Sequence, residues 1–234
     1  PVDRVPAPAD PGPHVELRDG DVVLVGEDGP RRLTTDGTPE HGFGGPVWWS
    51  PDRTRFVVMK TRRAPRRTVH FIESRPDDQV QPRLHAVDYA KPGDPIDVPR
   101  PWVFDVATGV GRPLDDALIG TPWSLTEPHW VDDARFRLLH NQRGHQLIRL
   151  VEFDVVAGTS RTVVEEASDT FVDYPNKIMH RRLRDGRILW MSQRTGWNHL
   201  YLLDGTTGDV VRPLTAGEWL VRRVEAVDED AGTV

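Results

Sequence analysis

The chain has few residues able to do covalent chemistry and many able to shape a turn. It contains no Cys, which removes thiolate nucleophiles, disulfides and zinc-thiolate centres and leaves the redox compartment open. No Ser stands in a Gly-x-Ser-x-Gly elbow. Without such a nucleophile, a base and its orienting acid have nothing to activate. Adjacent acids occur at Asp77-Asp78, Asp115-Asp116 and Asp132-Asp133. All three fall in turn-like stretches, and such a pair becomes a catalytic dyad only where a cleft desolvates it. His140 and His145 lie across a turn with no acidic ligand at zinc spacing, so they read as hairpin residues. Gly42-Phe43-Gly44 and Gly109-Val110-Gly111 lack the third Gly and the helix of a nucleotide loop. The basic run Arg62-Arg63-Ala64-Pro65-Arg66-Arg67 has no interleaved aromatics for base stacking and reads as a solvated strand end. No cofactor and no metal are expected.

The Asp and Gly residues do carry a pattern. Phe104-Asp105-Val106-Ala107-Thr108-Gly109, Phe153-Asp154-Val155-Val156-Ala157-Gly158 and Leu203-Asp204-Gly205-Thr206-Thr207-Gly208 all read apolar-Asp-x-x-x-Gly, about 50 residues apart. That interval is the mark of repeated structural units. Asp at such an offset bonds nearby backbone, and Gly supplies a positive φ. β-rich runs flank each copy. An acidic turn opens each unit, as at Trp48-Trp49-Ser50-Pro51-Asp52, His129-Trp130-Val131-Asp132-Asp133 and Arg182-Leu183-Arg184-Asp185-Gly186.

Four short strands in about 50 residues, separated by Asp, Gly and Pro turns, predict a β-propeller blade. The expected fold is all-β, a partial β-propeller of about three to four four-stranded blades over residues 14–234. Val224 to Val234 resemble the opening of a further blade, so the propeller is expected to be incomplete at the C-terminus and to expose strand edges through which a homodimer could form. The Trp residues are spread over every unit and read as packing between blades. Residues 1–13 are Pro-rich and read as an arm or linker. An excursion over residues 74–101 interrupts the rhythm. It is either a binding or interdomain segment or a cover over one blade edge.

The formal charge of −6 gives no electrostatic footprint for nucleic acid. No apolar run is long enough for a membrane span. The reading is of a soluble chain, with cytoplasmic, periplasmic and secreted locations all open.

The ordered set Trp48-Trp49-Ser50-Pro51-Asp52, Tyr89-Ala90-Lys91-Pro92-Gly93-Asp94-Pro95, Trp190 to Tyr201 (WMSQRTGWNHLY) and Gly217-Glu218-Trp219-Leu220-Val221 resembles the N-terminal propeller of the dipeptidyl peptidase IV branch of the prolyl oligopeptidase family. The resemblance covers roughly Val22 to Val234. It implies a parent serine exopeptidase in which an α/β-hydrolase domain, missing from this sequence, cleaves short units from peptide N-termini. The propeller then gates the active site and holds the substrate amine, and this chain alone is expected to be inactive. In dipeptidyl peptidases a Glu-Glu pair precedes the Trp-Ser-Pro motif. Here the region reads Asp36-Gly37-Thr38-Pro39-Glu40-His41-Gly42, with one Glu. Glu40 is therefore the surviving candidate for an amine, against the plainer reading of a solvated loop acid, and tripeptide release becomes an alternative to dipeptide release. Glu165-Glu166 is read as a pair of turn acids closing a blade strand. By the same resemblance Tyr174 borders the substrate side, where it either packs on a substrate side chain or fills space between blades with Phe171. A stand-alone propeller serving as a protein-interaction scaffold is the alternative function.

Overall fold

The computed structural model describes residues 12–177 and 180–234. Nearly all of the Pro-rich arm expected over residues 1–13 lies outside them. Strands β1 (His14–Arg18), β2 (Asp21–Gly26) and β3 (Gly29–Arg32) form a three-stranded sheet in that order. β4 (His41–Trp49) and β5 (Arg55–Arg62) follow. Next, β6 (Thr68–Glu73) and β7 (Arg83–Asp88) pair only with each other. β8 (Val98–Asp105) and β9 (Gly111–Pro113) then complete a four-stranded sheet in the order β4-β5-β8-β9. Two further sheets are simple meanders. One runs β10 (Pro122–Trp130), β11 (Arg135–Gln142), β12 (Leu147–Asp154), β13 (Thr159–Ala167). The other runs β14 (His180–Arg182), β15 (Ile188–Ser192), β16 (His199–Leu203), β17 (Val210–Pro213). A single helical turn, α1 (Tyr174–Lys177), lies between them. This is a partial β-propeller, and its sheets are the blades that the repeat predicts. The excursion over 74–101 is less irregular than expected, because β7 returns along β6 from Asp88 opposite Thr68 to Arg83 opposite Glu73.

The described residues divide into two compact units. One holds residues up to Val47 with Val57–Gly111, the other Trp48–Phe56 with Arg112–Val234. In the second unit Leu139, Ile148, Leu150, Val163 and Val164 from one blade meet Ile188, Trp190, Tyr201 and Leu203 from the next in one buried cluster. Apart from the consecutive Val163 and Val164, which flank the register shift opposite Leu150 and Val151, these residues come from alternate positions of pleated strands, which is how a blade face buries its apolar side. In the first unit Phe43 sits edge-on to Trp102 and Phe104, with ring centroids 5.5 and 5.6 Å apart.

All three apolar-Asp-x-x-x-Gly motifs connect the third and fourth strands of a blade. The Asp carboxylate accepts backbone N–H groups inside the turn: Thr108 (2.9 Å) at Asp105, Val156 (2.9 Å) and Ala157 (2.7 Å) at Asp154, Thr206 (2.7 Å) and Thr207 (2.8 Å) at Asp204. The closing Gly donates to the Asp carbonyl at 2.8, 2.8 and 2.9 Å. Its φ is 73°, 76° and 82° in turn, the left-handed region that a side chain opposes.

The carbonyls between Asp and Gly have no donor within the turn, and an arginine from the preceding blade supplies one. Arg31 on β3 donates to Val106 (2.5 Å) and Ala107 (3.2 Å). Arg112 on β9 donates to Val155 and, at 3.4 Å, to Val156. Arg161 on β13 donates to Thr206 (2.7 Å), while Arg137 on β11 donates to Gly205 (2.6 Å). Glu152 orients both arginines of the last clamp, accepting from Arg137 at 2.7 Å and from Arg161 at 2.8 Å.

The Trp residues divide. Trp190 is fully buried, but Trp123, Trp197 and Trp219 are 48 %, 42 % and 49 % exposed, so blade packing does not account for all eight.

A β-carbon at Gly208 would stand 1.7 Å from the Val163 carbonyl oxygen, whereas one at Gly186, also at positive φ, meets nothing within 4 Å. Gly186→Ala is expected to cost about 1 kcal/mol for its φ alone. Gly208→Ala is expected to cost roughly 3 kcal/mol, since the backbone of the neighbouring blade must also give. Urea denaturation of the two variants checks the difference.

Candidate functional site

The segment that carries Glu40 is held from beneath by one buried acid. Asp21, 2 % exposed, opens β2. It accepts the Thr34 hydroxyl (2.8 Å) and the Gly37 N–H (2.8 Å), and pairs with Arg32. Burial works against the charged carboxylate, but bonds from Arg32, Gly37 and Thr34 outweigh it and hold the group below its ordinary pKa. Gly37 is the enabling residue. A β-carbon there would lie 2.4 Å from the Gly20 carbonyl, so only Gly lets this loop approach the β1–β2 turn. Beside it Lys60, 3 % exposed, extends from β5 to Asp36 at 2.6 Å. Its ammonium lies 5.0 and 5.3 Å from the ring centroids of Phe43 and Trp102. This is a cation held by one carboxylate and two aromatic faces.

On that base Thr38-Pro39-Glu40-His41 form a tight turn. The Thr38 N–H donates to the His41 carbonyl at 3.0 Å, and the His41 N–H donates back at 3.2 Å. Pro39 pre-sets the φ that the second turn position needs. The Glu40 carbonyl accepts the Arg63 N–H at 2.7 Å. Its exposed carboxylate has no hydrogen-bond or ion-pair partner among the described residues. The backbone of Glu40 is fixed and its charge is unspent.

Tyr174 lies in the second unit, in an aromatic group assembled from the β11–β12 turn, the β13–β14 connection and the start of β10. His145, at the β11–β12 turn with φ 58°, stacks on Tyr174 with centroids 4.4 Å apart. It also meets Trp123 edge-on at 5.2 Å and Phe171 at 5.8 Å. The Val172 N–H donates to the His145 carbonyl at 2.7 Å, and His145 Nδ1 lies 3.0 Å from Asn141 Oδ1. Burial pulls the His145 imidazole below its ordinary pKa. Phe171 is 49 % exposed, so the group presents aromatic surface to solvent as well as filling space. His145 was legible in the sequence only as a hairpin residue. Its pairing with Tyr174 spans a separation that no local pattern reports.

Next to this group a groove of about 590 Å³ is lined by Glu165, Glu166, Ser168, Phe171, Val172 and Arg194 among others. Glu165 and Glu166 are not turn acids as the sequence suggested. Both belong to β13, and both are spent. Glu166, 8 % exposed, accepts the Trp190 indole N–H at 2.8 Å and faces Arg194 at 3.4 Å. Glu165 pairs with Arg149 at 2.6 Å. Trp190, on the neighbouring blade, is what turns a strand-end acid into a buried one.

Asp115, Asp132 and Asp133 are structural. Asp115 accepts the Ser160 hydroxyl at 2.6 Å, Asp132 accepts the Arg135 N–H at 2.8 Å, and Asp133 accepts the Asp52 N–H at 2.9 Å. Among the described residues no group of three His, Cys, Asp or Glu is placed to hold a metal ion. His140 lies within β11, and His145 belongs to the aromatic group. No helix among the described residues is long and apolar enough to cross a membrane.

The family model for the dipeptidyl peptidase IV N-terminal region matches residues 42–234. Dipeptidyl aminopeptidase B of Saccharomyces cerevisiae is 22% identical, over 75% of this chain and 23% of its own length. A probable dipeptidyl peptidase 4 of Emericella nidulans is 22% identical over 85% of this chain and 29% of its own. Among solved structures, dipeptidyl peptidase 4 of Porphyromonas gingivalis has a similar fold. Its TM-score is 0.68 at 16% identity, covering 92% of this chain and 33% of that one. A putative dipeptidyl aminopeptidase IV from Bacteroides ovatus gives 0.57 at 17% identity, covering 92% and 35%. The chain spans less than a third of the length of these curated relatives.

Asp21→Asn is expected to cost about 2 kcal/mol at neutral pH, because buried donors lose a charged acceptor. The folded-state pKa of Asp21 is depressed. Its contribution is therefore complete above the unfolded value of about 4 and fades as pH falls through the lower folded value. Denaturation of both proteins at pH 7 and at pH 3 checks this, with the gap between them narrower at pH 3.

Proposed function

The chain belongs to the dipeptidyl peptidase IV N-terminal region family, and on that premise we infer that it is the non-catalytic propeller portion of a serine exopeptidase. It admits peptides and orients their N-termini for an α/β-hydrolase domain. The sequence has no Gly-x-Ser-x-Gly elbow, so bond cleavage belongs to that other domain. The observation that carries the reading is Glu40, an acid with a fixed backbone and no partner among the described residues. A peptide N-terminus is a cation with three donors, and a carboxylate meets it through charge-assisted bonds stronger than neutral ones. One carboxylate ranks substrate lengths less strictly than two, so tripeptides as well as dipeptides fit this pattern. Tyr174, stacked on His145, offers a flat apolar face for a substrate side chain.

The test is hydrolysis of Ala-Pro and Ala-Ala-Pro chromogenic substrates by this chain and by the longest natural form of the protein. The expected result is cleavage by the longer form alone. In that form Glu40→Gln is expected to raise KM about tenfold, the worth of one charge-assisted bond of about 1.4 kcal/mol, with kcat nearly unchanged. Tyr174→Ala is expected to raise KM for bulky side chains by a smaller factor. No cleavage by any well-folded form would instead favour a propeller used as a protein-interaction scaffold.

A further inference from the structure

In each blade sheet the last strand leaves one edge unpaired, and in three of the sheets that edge is blunted. β3, β9 and β17 are four, three and four residues long, and each contains a proline: Pro30, Pro113 and Pro213. Short edge strands and proline are the ordinary defence against strand addition. β13 has neither, running nine residues from Thr159 to Ala167 without a proline. The neighbouring blade covers only its first half, where Arg161 donates to Thr206 and Gly208 closes on the Val163 carbonyl.

Beyond Val163 the edge is open. The Ser168 N–H donates inward to the Gln146 carbonyl at 3.0 Å, and Glu166 lies opposite Ile148 in the same phase. Peptide groups alternate in direction along an antiparallel strand, so the N–H and C=O of Glu165 and of Ala167 point away from β12. β13 pairs with β12 alone, and these four groups have no partner among the described residues. They repeat about every 7 Å. The groove of about 590 Å³ lies along this stretch, and the β15–β16 turn supplies its Gln193, Arg194 and Gly196 lining. Arg194 spends Nε on Ser192 Oγ at 2.8 Å and Nη2 on Glu166 at 3.4 Å, which leaves Nη1 uncommitted among the described residues. The half-exposed Phe171 ring adds an apolar face.

We propose that the open half of β13 is a strand-addition site that binds an extended, proline-free segment of a second protein. The main chain of that segment pairs with Glu165 and Ala167. Its side chains place a carboxylate toward Arg194 and an apolar group against Phe171. Main-chain pairing supplies the affinity of such a site, and the alternate side chains supply its selectivity. The site takes no peptide N-terminus and is independent of the role inferred for Glu40.

The probe is acetyl-Thr-Val-Glu-Val-Thr-Phe-amide, whose capped N-terminus offers no amine to Glu40. Added to the 234-residue chain, it is expected to slow hydrogen exchange of the Glu165 and Ala167 amides about tenfold, as read by NMR. Two further peptides carry N-methyl groups on alternate residues, one in each phase. One phase is expected to abolish binding and the other to preserve it, because only alternate peptide groups face the edge. Ala167→Pro removes an outward N–H without breaking a ladder bond, and is expected to weaken binding about tenfold. The methylated peptides leave the protein untouched, so their result stands even where that variant is destabilised. No protection at about 1 mM peptide, equal behaviour of the two methylated peptides, or undiminished binding by Ala167→Pro overturns the proposal. So does self-association that protects the same amides without peptide, which would assign the edge to a second copy. None of these outcomes bears on Glu40, which the capped peptide does not engage.

Discussion

The arrangement turns on a shortage of hydrogen-bond donors. An Asp-x-x-x-Gly turn satisfies its own N–H groups with the Asp carboxylate and the Asp carbonyl, and leaves the carbonyls between them facing out. Those carbonyls need either water or a donor from elsewhere. A guanidinium suits the task because its planar fork spans two acceptors at once. Arg161, at 43 % exposure, contributes little alone, whereas Arg137 in the same clamp is buried. The value of the clamps lies in repetition, since each outer strand is registered to the turn of the next unit. Where the fit is tightest, at Gly208 against Val163, the approach is too close for any β-carbon.

What the sequence discloses follows the range of the interaction. The turns were legible because Asp and Gly act within five residues of each other, and that short pattern repeats. From the turns came the blades, and from the blades the fold. Glu165 and Glu166 were misread because the partner that buries Glu166, Trp190, comes from another blade and leaves no trace in the local pattern. The strand β7 was missed for a related reason. It is short and largely exposed, paired only to β6, and the apolar residues of its Arg83-Leu84-His85-Ala86-Val87 run are left out of any core. The exposed Trp123, Trp197 and Trp219 show the same limit, since residue type states what a side chain prefers and not which neighbours reach it. Glu40 stood out as the single Glu of its segment; the Thr38–His41 pair of bonds is local, but the bond from Arg63 to the Glu40 carbonyl joins positions far apart in the chain.

The two candidate regions share a manner of construction. Around Glu40, the structural work is done by Asp21, Lys60, Gly37 and main-chain bonds. Around Tyr174, it is done by the Val172 N–H and the His145 ring. In each case a stable scaffold lies beneath and a side chain stands above it with capacity to spare. Glu165 and Glu166 are the contrast, being acids whose bonding is already consumed by the fold.

The turn at Thr38–His41 has a consequence for how such a protein can change. Everything that holds residue 40 in place acts through its main chain or its neighbours, and the side chain contributes nothing to the fold. A position of this kind can be rewritten by single codon changes without a stability threshold to cross. Charge, length and polarity there are free variables for selection. Residue 21, beneath it, has no such freedom, because its carboxylate holds the loop in place. Sequence variation can therefore accumulate at the tip of the turn while the support beneath it stays unchanged.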